Sequence, residues 1–172
     1  MNPKQFKLPL LASAFIITAY ADAAEANVIW QDPQNYTDIG SNFGSQNNFQ
    51  KSLFKTLDGV FSEQAARLPE GSRLTVTVTN FDMAGAMRIG GKGAYQRVVQ
   101  QSLFPQMTLS YQLTDASGKV VAEQSNVVFQ DMNFTNLTNI VSQSDLNQPF
   151  FYESAMVAKW FDNTFRLTDG QL

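Results

Sequence analysis

Residues 49–79, FQKSLFKTLDGVFSEQAARLPEGSRLTVTVT, contain the change of hydrophobic period that decides the fold class. In the first part, apolar residues recur at every third or fourth position, which is typical of one face of an α-helix. These residues are Phe49, Leu53, Leu57, Val60, Phe61 and Leu68. The turn Pro69-Glu70-Gly71 ends the predicted helix. From Leu74 to Thr79, aliphatic residues alternate with threonine, which predicts a β-strand with one buried face and one polar face.

The segment before this helix predicts a short strand and a loop. The strand begins at Val28 and is closed by Pro33, which cannot donate a hydrogen bond to a sheet. Residues 34–48 are polar and form the loop, and Asn47 or Asn48 is expected to cap the helix. Gly59 lies inside the helix at a cost of about 1 kcal/mol relative to alanine, which suggests close packing against a strand.

The segment after residue 104 predicts a β-hairpin. Apolar and polar residues alternate from Met107 to Leu113, residues 115–119 make a short loop, and Val120–Phe129 returns as the antiparallel strand. The alternation slips between Ala122 and Val127, which predicts a β-bulge. The pattern of residues 83–104 assigns no single structure to that segment, and residues 95–102 fit either a strand or a short helix.

A second helix is predicted over residues 151–165, with Pro149 in its first turn. Two helices and nearby antiparallel strands predict an α+β fold, in which a mostly antiparallel sheet carries two main helices on one face. Residues 27–172 are long enough for one such domain and short for two.

The amino-terminal residues read as an export signal. Lys4 and Lys7 precede an apolar stretch, and residues 1–23 form the predicted signal peptide, with cleavage after Ala23 or Ala26. The apolar stretch is shorter than the roughly 20 residues of a membrane-spanning helix. We therefore expect a periplasmic protein with no membrane span once the signal is removed.

Composition excludes several kinds of chemistry. The chain has no cysteine and no histidine, which excludes disulfides, thiolate ligands and a serine triad that relies on imidazole. Its formal net charge is −3, and loss of the predicted signal with two lysines and one aspartate makes it −4. No basic stripe is present, so we expect no nucleic-acid partner. No cofactor and no metal are expected.

Three groups of segments resemble the domain-of-unknown-function family 3016, which comprises short exported proteins, mostly from proteobacteria. They are residues 28–39 (VIWQDPQNYTDI), residues 68–74 (LPEGSRL) with residues 82–85 (DMAG), and Tyr152-Glu153 with Trp160-Phe161. The chain departs from the family pattern at Asn80-Phe81 and Met83, which weakens any claim for an acidic site there. The resemblance implies export and a single domain, and it implies nothing about chemistry.

The acidic residues support two hypotheses about sites. Asp32, Asp38 and Asp82 lie near strand ends, where carboxylates can bind calcium, but the spacing of a calcium loop is missing and turn or cap roles are the simpler interpretation. Asp82 and Glu153 are candidate acid and base of a carboxylate-dependent hydrolase of envelope glycans. For Glu153, the simpler interpretation is a favourable position in the first turn of a helix.

A binding surface is the favoured interpretation. Thr77 and Ser110 are expected on the polar sheet face, flanked by Trp30, Tyr36 and Tyr95, although such a face is usually only solvated. The full candidate surface is Trp30, Asp32, Tyr36, Asp38, Thr77, Asp82, Tyr95 and Ser110. Together, these features predict a non-catalytic binding or accessory module that contacts an envelope protein or another envelope component. The hydrolase is the alternative.

Overall fold

A computed structural model describes residues 23–40, 45–139 and 146–165, and it confirms the α+β fold. Two helices lie on one face of a mostly antiparallel sheet. The strands and helices are β1 (Glu25–Trp30), α1 (Gln46–Ala65), β2 (Arg73–Asp82), β3 (Ala86–Ile89), β4 (Tyr95–Val98), β5 (Gln106–Thr114), β6 (Val120–Gln130) and α2 (Phe151–Phe165). Neither helix is long and apolar enough to cross a membrane, within the residues described.

The main sheet has the strand order β1-β2-β5-β6. Strand β1 runs parallel to β2, and the other neighbours are antiparallel. A parallel neighbour needs a crossover connection, and α1 supplies it between β1 and β2. Among the described residues, β1 and β6 are therefore the edges of this sheet.

The core lies between the sheet and the two helices. On α1, Leu53, Leu57 and Phe61 are fully buried, as the helical period predicts. On β2, the aliphatic residues are buried and the threonines between them are not, so the threonines lie on the opposite, outer face of the sheet. The two predicted periods thus position the helix face and the strand face that form the core.

The start of α1 differs from the prediction. Ser45, and not Asn47 or Asn48, occupies the N-cap position, so the predicted cap was wrong. The carbonyl oxygen of Ser45 accepts hydrogen bonds from the backbone N–H groups of Asn48 and Phe49, which places both asparagines inside the helix. The second helix begins at Phe151, so Pro149 precedes its first turn and does not lie within it.

Two further features test the local predictions. The β-bulge is confirmed: the β5–β6 register shifts between Leu109 and Tyr111, and Asn126 of β6 has a positive φ of 54°. The suggestion that Gly59 packs closely against a strand was wrong, because a Cβ placed there would meet no atom within 4 Å.

Residues 83–104, which the sequence left unassigned, contain a separate hairpin. Strands β3 and β4 pair antiparallel and are joined by a turn that includes Gly91–Gly93. Gly85, just before β3, has a φ of 80°, and a Cβ there would lie 2.5 Å from the carbonyl oxygen of Val98. Only glycine allows this close approach of the two ends of the hairpin.

Candidate functional site

The outer face of the sheet brings together two of the predicted residues. Thr77 of β2 lies directly opposite Ser110 of β5, and Ile29 of β1 is the neighbour of Thr77 on the other side. The hydroxyl of Ser110 accepts a hydrogen bond from the backbone N–H of Asn126 at 3.1 Å. This face therefore offers neutral polar and β-branched side chains, with few charges near its centre.

Two predicted aromatic residues do not border this outer face. The ring of Trp30 stacks on Phe54 of α1 at 4.4 Å, and its indole N–H donates to Asp58 at 2.9 Å. Tyr36 is buried, and its hydroxyl donates to the carbonyl oxygen of Val78 at 2.8 Å. Burial raises the pKa of Tyr36. Both rings lie on the helix side of the sheet and do not flank the outer face.

Asp32 and Tyr95 lie in separate, exposed places. Asp32 precedes a short 3-10 helix, Pro33–Asn35, and has a positive φ of 49°. Aspartate tolerates this conformation in turns better than most residues do. Tyr95 begins β4 in the small hairpin and is 56% exposed. Neither side chain has a described contact with Thr77 or Ser110.

Arg97 of β4 organises the acidic residues. Its guanidinium binds the Asp38 carboxylate through two hydrogen bonds, of 2.8 and 3.1 Å. It also donates to the carbonyl oxygens of Gly40, Ala84 and Gly85. Arginine suits this role because its planar guanidinium carries several donors in fixed directions. These bonds fasten the small hairpin to the segment that follows β1.

Asp82 and Glu153 lie near the ion pair between Arg97 and Asp38. The backbones of Asp38 and Asp82 form an isolated parallel β-bridge at the end of β2. Burial and the nearby charge of Asp38 raise the pKa of the Asp82 carboxyl group. Glu153 of α2 is 3% exposed and accepts a hydrogen bond from the backbone N–H of Ala84 at 3.0 Å. Burial raises the pKa of Glu153 as well, while that hydrogen bond and the charge of Arg97 oppose the change.

A cavity of about 240 Å³ lies next to Glu153 and Arg97. Its wall includes Phe49 of α1 and Phe150, whose rings meet edge to face with centroids 5.4 Å apart. Phe150 has a positive φ of 59°, which is rare for an aromatic residue. The Arg97 side chain lines this cavity, but its N–H groups already donate to Asp38 and to three carbonyl groups. The walls of the cavity are mainly apolar.

A second cavity, of about 280 Å³, forms a groove between β6 and α2. Trp160 of α2 lies in its wall and stacks on Phe129 of β6 with centroids 5.2 Å apart. The indole Nε1 of Trp160 is buried and has no hydrogen-bond partner among the described residues. At the rim, Lys159 forms an ion pair with the buried carboxylate of Asp131 at 3.0 Å.

The edge strand β6 carries a concentration of exposed apolar side chains. Val120, Val121 and Val128 lie on β6, Met132 follows it, and these four side chains are 42–59% exposed. Val128 is paired with Thr108 of β5, so it shares the outer face of the sheet. The four side chains form two exposed apolar groups, one at each end of β6, with the exposed polar residues 123–126 between them. Exposed apolar side chains on a strand edge are typical of a surface that contacts another chain.

Sequence reasoning missed Arg97, Asp131 and Lys159. Arg97 is one of three basic residues, with Arg88 and Lys92, in a segment with no clear period, so no pattern marks it. Asp131 and Lys159 are separated by 28 positions, and only the packing of α2 beside β6 brings them together. Three acidic groups gather near Arg97, yet no group of three side chains in the described ranges is arranged to hold a metal ion.

Comparison with protein-family models gives a match over most of the chain. The model of a family described as "Protein of unknown function (DUF3016)" matches residues 24–163. No curated protein and no solved structure matches the chain significantly. The match covers α1, the whole main sheet, the small hairpin and all but the last two residues of α2. The chain therefore belongs to the DUF3016 family.

Proposed function

We propose that this protein is a non-catalytic binding or accessory module of the bacterial periplasm, which contacts an envelope protein or another envelope component. The observation that carries the proposal is the two groups of exposed apolar side chains at the ends of the edge strand β6, beside an outer sheet face of neutral polar side chains. Such a surface supports contact with a partner, because binding removes the apolar area from water.

The amino-terminal sequence supports the periplasmic location. A basic start, a short apolar stretch and two small-residue cleavage motifs are the components of a secretory signal. Residues 1–22 lie outside the described residues. The pairing of Glu25 and Ala26 with Arg73 and Leu74 supports cleavage after Ala23, since cleavage after Ala26 would remove part of β1.

The carboxylates support binding over the hydrolase alternative. A glycan hydrolase needs one carboxyl group to protonate the leaving group and another to act as a base or nucleophile. Glu153 is buried and accepts the N–H of Ala84, and the neighbouring Asp38 is held by Arg97. These bonds give Glu153 and Asp38 structural roles at the junction of the hairpin, β2 and α2.

Site-specific photo-cross-linking in living cells tests the proposal. A photoreactive residue is placed at Thr77, Ser110 or Val128 on the outer face, and at Lys55 or Glu63 on the exposed side of α1 as matched controls. We expect a discrete adduct from the outer-face positions and none from α1. Adducts from α1 alone, or no adduct from any position, would contradict the proposed surface.

A further inference from the structure

Strand β6 is a long edge with few features that keep another strand away. It spans 11 residues, contains no proline and no lysine, and has Glu123 as its one charged residue. Among the described residues, its neighbour in the sheet is β5, and the other side of β6 is unpaired. Proteins usually protect long edge strands with charges, proline or covering segments. This edge is therefore open to a further strand.

The sequence of β6 has nearly the same pattern in both directions. Residues 120–128 read VVAEQSNVV, with Gln124 at the centre and a pair of valines at each end. When two identical strands pair antiparallel about a two-fold axis, positions equally far from the axis lie opposite each other. An axis at Gln124 therefore brings the valine pair at one end of each strand against the valine pair at the other end of its copy.

The pairing of β6 with β5 preserves this symmetry in the structure. The register shifts twice, so β6 carries one extra residue on each side of Gln124. Val120 pairs with Thr114 and Val128 pairs with Thr108, and each threonine lies three positions along β5 from the partner of Gln124. Both valines consequently lie on the outer face of the sheet, at equal distances from Gln124. In a two-fold pair, Val120 of one copy would contact Val128 of the other.

The polar centre of β6 is also compatible with a second copy. Gln124 is exposed and lies on the helix side of the strand, where the two copies would meet amide to amide. Each amide carries donors and an acceptor, so the two can bond to each other. Glu123 would lie opposite the neutral Ser125 and Asn126, not opposite its own copy, and it already accepts a hydrogen bond from Gln112. Like charges are therefore not placed directly opposite each other.

We propose that two copies of this chain pair through β6, antiparallel and about a two-fold axis at Gln124, which joins two four-stranded sheets into one of eight strands. Val120 is 42% and Val128 59% exposed in the single chain, and each would be covered by the other residue of the second copy. Each copy uses its β6 edge once, so the assembly closes at two. The inference rests on the proposed function in that both treat β6 as a contact surface, and it leaves the joined outer faces of two copies for the envelope partner.

Sedimentation of the purified chain, residues 24–172, tests the pairing. The wild type should change from one chain mass to two as its concentration rises from about 10 μM to about 1 mM, the range expected for a small interface. Val128→Lys places a charge against Val120 of the copy and should weaken the dimer about tenfold or more, since the contact occurs twice. Ile89→Lys is the matched control, because Ile89 is 67% exposed on β3, and it should dimerise as the wild type does.

A double variant tests the register. Val120→Glu alone should also weaken the dimer, whereas Val120→Glu combined with Val128→Lys places opposite charges across from each other twice and should restore it. The two positions of one copy lie roughly 20 Å apart along the strand, so they cannot pair within a chain. Restored dimerisation therefore reports the contact between the copies.

A disulfide at the axis gives a test that does not depend on weakening the dimer. The chain has no cysteine, so Gln124→Cys introduces a single thiol. Directly opposite positions of an antiparallel pair bring their Cα atoms to about 4.5–5.5 Å, which lies within disulfide range. With oxidised glutathione, this variant should form a covalent dimer far faster than the control Lys55→Cys, whose thiol lies on the exposed side of α1.

The contrary outcomes are distinct. A wild type that stays monomeric at about 1 mM, no effect of Val128→Lys, or equal rates of disulfide formation at the two cysteine positions would overturn the inference. In cells, a photoreactive residue at Val128 should give an adduct of two copies, and an adduct with a different protein alone would assign the edge to that protein instead. Adducts of Thr77 or Ser110 with an envelope component would keep the proposed function even then, whereas a dimer without such adducts would overturn the proposed function alone.

Discussion

At the scale of single residues, buried charges join parts of the fold that are distant in sequence. Arg97 binds the Asp38 carboxylate and three backbone carbonyl groups, and Glu153 accepts the N–H of Ala84. None of these bonds follows from a sequence period, because each depends on where the small hairpin packs. The candidate acidic residues were visible in the sequence, whereas their shared partner was not.

Glu153 gives a prediction with a defined sign. Its pKa is raised by burial, so the folded protein resists its ionisation more than the unfolded chain does. The stability of the wild type should therefore fall, relative to Glu153→Gln, as the pH rises above the ordinary value of 4.5. Urea unfolding of both proteins, in buffers from below that pH to neutrality, measures the difference.

Asp115 provides the control for this experiment. Its pKa is lowered, chiefly by the hydrogen bond from the Ser117 hydroxyl, so Asp115→Asn should show the opposite dependence. The advantage of wild type over that variant should shrink as the pH falls. If the wild type instead gained stability over Glu153→Gln with rising pH, burial would not be the dominant influence on the pKa of Glu153.

At the scale of secondary structure, the elements with a clear hydrophobic period were predictable. The period of 3.6 predicted α1 and α2, and the period of 2 predicted β2 and β5, because each element buries one face against the same core. The β3–β4 hairpin was not predictable, since it is short and its strands have no fully buried residue that would set a period. Gly85 and Arg97 keep the hairpin in its position against the rest of the fold, and both do so through tertiary contacts.

Gly59 gives a prediction for α1. It lies on the exposed side of the helix, and a Cβ there would meet no neighbouring atom. Gly59→Ala should therefore raise the free energy of unfolding by about 1 kcal/mol, because alanine restricts the unfolded chain and favours the helix. Thermal unfolding should show a rise of about 2–4 °C.

The control for Gly59 is Gly85, where the backbone requires glycine. Gly85→Ala should lower the melting temperature, since its φ is 80° and its Cβ would collide with Val98. A fall in stability for Gly59→Ala would show that α1 packs differently from the arrangement described above.

At the scale of the whole molecule, β1 and β6 give the sheet two different edges. Helix α1 crosses over between β1 and β2 and contacts β1, and the loop after β1 returns to the end of β2. Strand β6 has no neighbour on its outer side within the described residues. The sequence predicted both strands, but not their positions in the sheet, because periodicity reports burial and not strand order.

Export is the prediction that concerns the whole chain. The intact mass of the protein from a periplasmic extract should correspond to cleavage after Ala23, which leaves Glu25 and the rest of β1 in place. Cleavage after Ala26 would show that β1 tolerates a shorter start. Full-length protein in the membrane fraction would contradict the export proposal.

The open edge of β6 is the central claim, and amide hydrogen exchange of the free, monomeric protein tests it most directly. In an antiparallel edge strand, alternate N–H groups point away from the neighbouring strand. We therefore expect slow and fast exchange to alternate along β6, while the interior of β5, which is paired on both sides, is protected throughout. Continuous protection along β6 would show that the edge is already covered and would contradict its role as a binding surface.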